Sequence, residues 1–287
     1  MSWLPVKAVV GRELTKLFRQ KARLFSSMVR PMIWLLVIGS GVGSMLSGAQ
    51  QEGYLQFLVP GVLAMTLLFA ALLSALTLVY DKEFGVMRMM MIAPVAHYWI
   101  VLSKLIAATI TAMVQALLLL IILLLIGLID LQIALLLIPP ALLTAVACAS
   151  MGGLIAVFSK TLDNFAVIMN FFIFPVFFLS GALYPVSQLP DFLRYVVLIN
   201  PFSYGVDLLK HAVPGAQSDF SIWTDMTVLA AFSAAAIAIA CWRFSRESVH
   251  EPSAVKVNTP ALLLLINFVI HEQSNSASYT LHTAVVR

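Results

Sequence analysis

The stretch DKEFGVMRMMMIAPV, Asp81 to Val95, decides how the rest of the chain is read. It is a short charged island between two long apolar runs. Asp81, Lys82 and Glu83 stand in a row, followed by Phe84, Gly85, Met87, Arg88, three further methionines ending at Met91, and Pro94. A charge at the centre of a bilayer costs about 2.5–3.5 kcal/mol or more, so the island lies outside the lipid. Its many apolar side chains then need cover from something other than water, which points to a partner protein.

Composition sets the frame for that reading. Of 287 residues 61% are hydrophobic and only 10% charged, whereas a soluble domain carries roughly 25% charged residues. The chain is an all-α integral membrane protein, because a lone segment satisfies its backbone in lipid only as a helix. Residues 1–30 hold seven Lys/Arg. With apolar runs behind them they form a membrane-anchoring face, and no nucleic-acid partner is expected. Cys148 and Cys241 sit inside apolar runs and read as small buried hydrophobes, not as a disulfide or metal site. The charged first thirty residues do not resemble a cleavable leader.

Working outward, Val6, Val10, Leu14, Leu17, Phe18, Leu24, Phe25 and Met28 recur at helical spacing, with Arg12, Lys16, Arg19 and Arg23 opposite. This predicts an amphipathic interfacial helix over 1–30. A span needs about 20 mostly apolar residues. Six runs approach that: Pro31–Ser47, Leu58–Tyr80, Leu105–Ile129, Ile133–Phe158, Phe165–Leu183 and Met226–Trp242. Pro139 and Pro140 are expected to kink or delay the fourth. Six transmembrane helices place fifteen Lys/Arg on one side and only Arg194 and Lys210 on the other. The positive-inside rule then puts both termini in the cytoplasm. The six-helix transmembrane domain is residues 31–246, and 247–287 is a cytoplasmic tail whose apolar stretch Ala261–Ile270 is too short to span.

Small residues mark packing: Gly39 with Gly43, and a ridge of Ala141, Ala145, Ala149 and Gly153 suited to internal contacts. Between the fifth and sixth runs, residues 184–213 are too apolar for a solvated loop. Two short external re-entrant helices fit, punctuated by Pro190 and by Asn200-Pro201. Tyr184, Tyr195 and Tyr204 are expected at headgroup level.

Catalytic machinery is missing from the sequence. There is no GxxxxGK[ST], HExxH, CxxC or GxSxG pattern, so the chain is not expected to be an enzyme. No predicted span carries an ionised residue well inside it, which weakens a proton- or sodium-coupled pump. Asn170 with Phe171, Phe172, Phe174 and Phe177 suits either a pathway lining for an amphipathic molecule or, for the asparagine, an interhelical hydrogen bond.

Three blocks carry a family resemblance over roughly residues 5–245: the basic helix before the first run, DKEFGVMRMMMIAP, and SGALYPVSQLP with LINPFSYGVDLLKHAV. The chain resembles the ABC-2 type (type-2 ATP-binding-cassette) export permeases. That resemblance implies a half-transporter in a bacterial plasma (inner) membrane, dimeric with a second permease copy and powered by a separate ABC ATPase subunit. ATP and Mg would belong to that subunit, with no cofactor in this chain. By the same resemblance Asp81, Lys82, Glu83, Phe84, Gly85, Met87, Arg88, Met91 and Pro94 form a cytoplasmic coupling helix. Tyr184, Pro185, Pro190, Asn200, Pro201 and Tyr204 belong to an external gate. Methionine stands at 89–91 where the family commonly has Arg or Leu. The competing readings are an autonomous secondary transporter or channel, which would work without nucleotide, and a membrane-embedded enzyme.

Overall fold

A computed structural model describes residues 3–19, 21–43, 49–87, 97–184, 186 and 189–250. The chain divides into two compact units, Met1–Ser248 and Val249–Arg287. Apart from the last two residues of a helix, the second unit lies outside the described residues, as does the apolar stretch at 261–270.

The described regular structure is helical: α1 (Trp3–Arg19), α2 (Lys21–Gly43), α3 (Ala49–Glu83), α4 (His97–Leu125), α5 (Leu131–Phe158), α6 (Leu162–Ile168), a π-helical turn (Met169–Ile173), α7 (Phe174–Phe178), α8 (Asp191–Ile199), α9 (Pro201–Lys210) and α10 (Ile222–His250). Four segments are long and apolar enough to cross a membrane: Phe57–Glu83, Tyr98–Leu125, Leu131–Phe158 and Ile222–Arg246. The first and fifth predicted runs instead give shorter apolar helices, Ser27–Gly39 and Leu162–Phe178. The fifth stops because the chain turns after Phe178, where Gly181 adopts φ +74°, a conformation that an L side chain rarely tolerates.

α3 is the central element. From Leu58 to Leu72 every residue is buried, packed by α2, α4, α5 and α9. The predicted small-residue ridge is internal: Ala141, Ala145 and Ala149 are fully covered, and a Cβ on Gly153 would run into the Leu105 side chain. Gly61 is under a stricter demand, since a Cβ there would overlap the carbonyl oxygen of Ala182. Aromatic edges then join α2, α3 and α7, with Trp34 and Phe69 both against Phe177.

Three local readings change. The N-terminal amphipathic helix ends at Arg19, and Lys21–Gly43 runs as one helix through residue 30. Val6 and Leu17 bury the apolar face of α1, whereas Phe18 stays exposed. Pro139 and Pro140 lie inside α5, which starts ahead of them at Leu131, so they do not delay it. The π-helical turn ends two residues before Pro175. Proline has no N–H to give the carbonyl four residues back and its ring crowds that carbonyl; a widened turn relieves both.

Candidate functional site

The charged island is the end of α3, and its three charges face three different places. Asp81 is only 6% exposed. Its Oδ2 lies 2.5 Å from Lys104 Nζ and 2.9 Å from an Arg12 guanidinium nitrogen. Lys104 also donates to Glu13 Oε1 at 2.7 Å, and Arg12 donates to the same oxygen at 2.9 Å. Two carboxylates and two cations thus knot α1, α3 and α4 together. Burial by itself would raise the Glu13 pKa, but Lys104, Arg12 and Lys16 hold the carboxyl below its ordinary 4.5.

Lys82 points the other way. Its ammonium donates to the Val157 carbonyl at 2.6 Å and to Ala156 at 3.5 Å. These carbonyls belong to the last turn of α5, which lacks intrahelical donors and carries partial negative charge. Glu83 accepts from the Leu162 backbone N–H at 2.7 Å, at the electropositive start of α6. Two adjacent residues of opposite charge therefore cap two adjacent helix ends of opposite polarity. Asp81, Lys82 and Glu83 thus each make described contacts within the chain.

Beyond it, Gly85 turns the chain at φ +74° and Met87 is buried. Phe84 is 60% exposed and stacks on exposed Tyr80 with ring centroids 4.6 Å apart, an apolar step on the surface. Arg88, Met91 and Pro94 lie outside the described residues.

The predicted gate residues surround the α7–α9 junction. Asn200 holds it: Oδ1 accepts from the Phe202 N–H at 3.1 Å, starting α9, while Nδ2 donates to Val176 at 2.7 Å and Leu179 at 3.5 Å. Pro201 fills the first position of α9, where a missing N–H costs nothing. Pro190 begins α8, and Pro185 is outside the described residues. Tyr204 is 7% exposed, donates to the Leu198 carbonyl at 2.8 Å and stacks on Phe220. Tyr184 is partly covered and donates to the Phe178 carbonyl. Burial raises the pKa of both phenols, with Asp225 adding to the effect at Tyr204. Tyr195 is the exposed one of the three, on an α8 face shared with Phe192 and Ile199.

Asn170 makes its bond within its own helix, donating to Ala166 at 2.9 Å. It is exposed, with Phe171 at 81% and Phe174 at 40%. The interhelical bond expected of it is absent among the described residues. A partly open cleft lies elsewhere, between α2, α3 and α4. This cavity of about 300 Å³ is bordered by Ser27, Arg30, Met65, Thr66, Phe69 and Gln115. The Arg30 guanidinium lies 4.3 Å from the Phe69 ring centroid. Phe69 is about 18 Å along α3 from Asp81 at 1.5 Å per residue, well inside the apolar length.

Sequence reading missed three positions. Lys104 sits inside α4, its ammonium on the Glu13 and Asp81 carboxylates with the Thr77 hydroxyl at 3.4 Å; Glu13, an acid amid basic residues of α1, is the available signal. Arg30 precedes its apolar run in sequence yet reaches the level of Phe69. A second ion cluster joins Asp207 and Lys210 of α9 to Asp219 and to Asp225 of α10. Its residues are scattered in sequence, and only Asp207, Lys210 and His211 show the i, i+3, i+4 spacing of one helix face. Burial raises the Asp207 pKa, against the Asp219 and Phe220 backbone N–H groups that lower it.

Four helices long and apolar enough to cross a membrane stand among the described residues, the architecture of a multi-pass membrane protein. The chain belongs to the ABC-2 type transporter family, whose model matches residues 5–213. It is similar to the inner membrane transport permease YadH of Escherichia coli strain K12, 23% identical over 253 residues that cover 84% of this chain and 94% of that protein. It is also similar to nodulation protein J of Rhizobium leguminosarum bv. trifolii, 26% identical over 196 residues, 68% of this chain and 75% of the relative.

Proposed function

We propose that this chain is the membrane subunit of an ATP-driven exporter, a half-transporter that pairs with a second copy and is powered by a separate ABC ATPase. The observation that carries the reading is the triple attachment of Asp81–Glu83. A partner seated on the neighbouring Tyr80–Phe84 step and on residues 88–94 would push directly on a residue set tied to α1, α4, α5 and α6. A methionine-rich stretch of sequence suits such a partner because the side chain adapts to irregular apolar grooves. Nucleotide-driven closure of the motor would then bias two arrangements of the helices, with no bond chemistry in this chain.

The fifteen-to-two distribution of Lys/Arg supports a cytoplasmic position for this end and for both termini. The name of the Escherichia coli relative supports placement in a bacterial inner membrane. The cavity supports a lipophilic or amphipathic cargo of drug, lipid or glycan type. Its floor is apolar at Met65 and Phe69, while Arg30, Thr66 and Gln115 offer hydrogen bonds. An arginine at such depth is costly unless it has a use.

The test is co-purification of an ABC ATPase subunit with wild type and with a variant carrying Phe84→Glu and Met91→Glu. Wild type should retain the ATPase and the variant should lose it. Equal retention would remove the coupling role. Vectorial transport by the purified chain in nucleotide-free proteoliposomes would replace the whole reading with an autonomous carrier or channel.

A further inference from the structure

We infer that Asp207, His211 and Asp225 form a binding site for a divalent transition-metal ion, with zinc as the best-fitting class. One ligand atom from each lies within 4.8 Å of the others. His211 Nε2 is 3.3 Å from Asp225 Oδ2 and 3.9 Å from Asp207 Oδ2. Ligands bonded at about 2.0–2.1 Å to a tetrahedral ion stand about 3.3 Å apart, so only small side-chain movements separate this arrangement from a coordinating one.

Asp225 supplies the independent observation. Its side chain is fully buried, and neither carboxylate oxygen has a hydrogen-bond partner among the described residues. A buried carboxylate without a donor is expensive, and Oδ2 of this one faces the His211 imidazole at 3.3 Å. Asp207 is already oriented, since its Oδ1 and Oδ2 accept from the Asp219 and Phe220 backbone N–H groups at 2.8 Å each. Outer contacts of that kind fix the ligand carboxylates of metal sites.

Charge matching points the same way. Three carboxylates meet here, and the buried Lys210 ammonium pairs most closely with Asp219 at 3.2 Å, standing 3.8 Å from Asp207. Asp207 and Asp225 face a ring that ligates in its neutral form, and both would ligate as carboxylates. A 2+ ion balances them. One nitrogen and two oxygen donors favour zinc or a similar borderline ion over magnesium or calcium, which take oxygen ligands and higher coordination. His211, with its side chain 23% exposed, provides an entry path, and a water would complete the shell. The bound ion would staple the end of α9 to the start of α10 across residues 211–221.

The experiment uses the full-length chain in detergent, stripped with a chelator and loaded with zinc. Metal content is measured after desalting, and the visible spectrum is recorded with cobalt in its place. One zinc per chain is expected, with a nitrogen–oxygen cobalt spectrum and a chelator-reversible rise in melting temperature. Asp225→Asn and Asp207→Asn should each weaken zinc binding tenfold or more. His211→Ala, at a partly exposed position that does not threaten folding, should do the same and alter the cobalt spectrum. Absence of saturable uptake would overturn the inference. So would zinc binding unchanged in His211→Ala, or magnesium binding as tightly as zinc.

Discussion

Two carboxylates converge on the ammonium of Lys104, which is 5% exposed. Removing one member of a buried ion group strands the others, at about 3–5 kcal/mol. Lys104→Met should therefore lower stability by that amount in thermal unfolding of the detergent-solubilised protein. Adding Asp81→Asn should recover part of the loss, because the second change removes one stranded charge. Glu13 gives a pH signature of definite sign. Its carboxyl is held below the ordinary 4.5, so its stabilisation is complete above that value. It drains away as the pH falls through the lowered native pKa. Melting temperature followed downward from neutral pH should fall more steeply in wild type than in Glu13→Gln, and equal slopes would contradict this assignment.

The elements were legible where apolar length alone decides. The second, third, fourth and sixth runs each coincide with a helix able to cross a membrane, and the two short helices after the fifth run appear as α8 and α9. Three-dimensional facts were not legible. Lys104 looks like a loop residue until α4 is seen to begin at His97, and Asp225 meets Asp207 only because a turn folds α10 back toward α9. Nor does an Asp-Lys-Glu triplet announce that its members cap α5 and α6.

Two element-level consequences can be measured. Asn200→Ala removes the α9 cap, worth about 1 kcal/mol. It also strands the Val176 and Leu179 carbonyls, for about 1–3 kcal/mol more. Hydrogen exchange should quicken across residues 174–205 ahead of the rest. Gly61→Ala should cost about 1–3 kcal/mol by overpacking against a backbone carbonyl. Gly153→Ala should cost less, since the Leu105 side chain that it meets can move. The same melting series ranks both.

Across the whole molecule, α2 leaves Phe25, Val29, Ile33, Leu36 and Val37 exposed, and the fifth segment leaves Val167, Phe171 and Phe172 exposed. Lipid can cover such faces, but so can a second permease copy. With Cys148 and Cys241 replaced by Ala and Ser, Ile33→Cys or Phe171→Cys should form a disulfide-linked dimer in native membranes. Oxidation products that remain monomeric at both positions would exclude these faces from the pairing.

Consecutive side chains at the foot of α3 hitch to separate neighbours, so the joint has no backlash. A thrust delivered at Phe84 would not first take up slack in one helix and then another; every rod would start together. Under the proposed coupling, Lys82→Met should leave ATP hydrolysis by the partner intact while slowing transport, measured together in proteoliposomes.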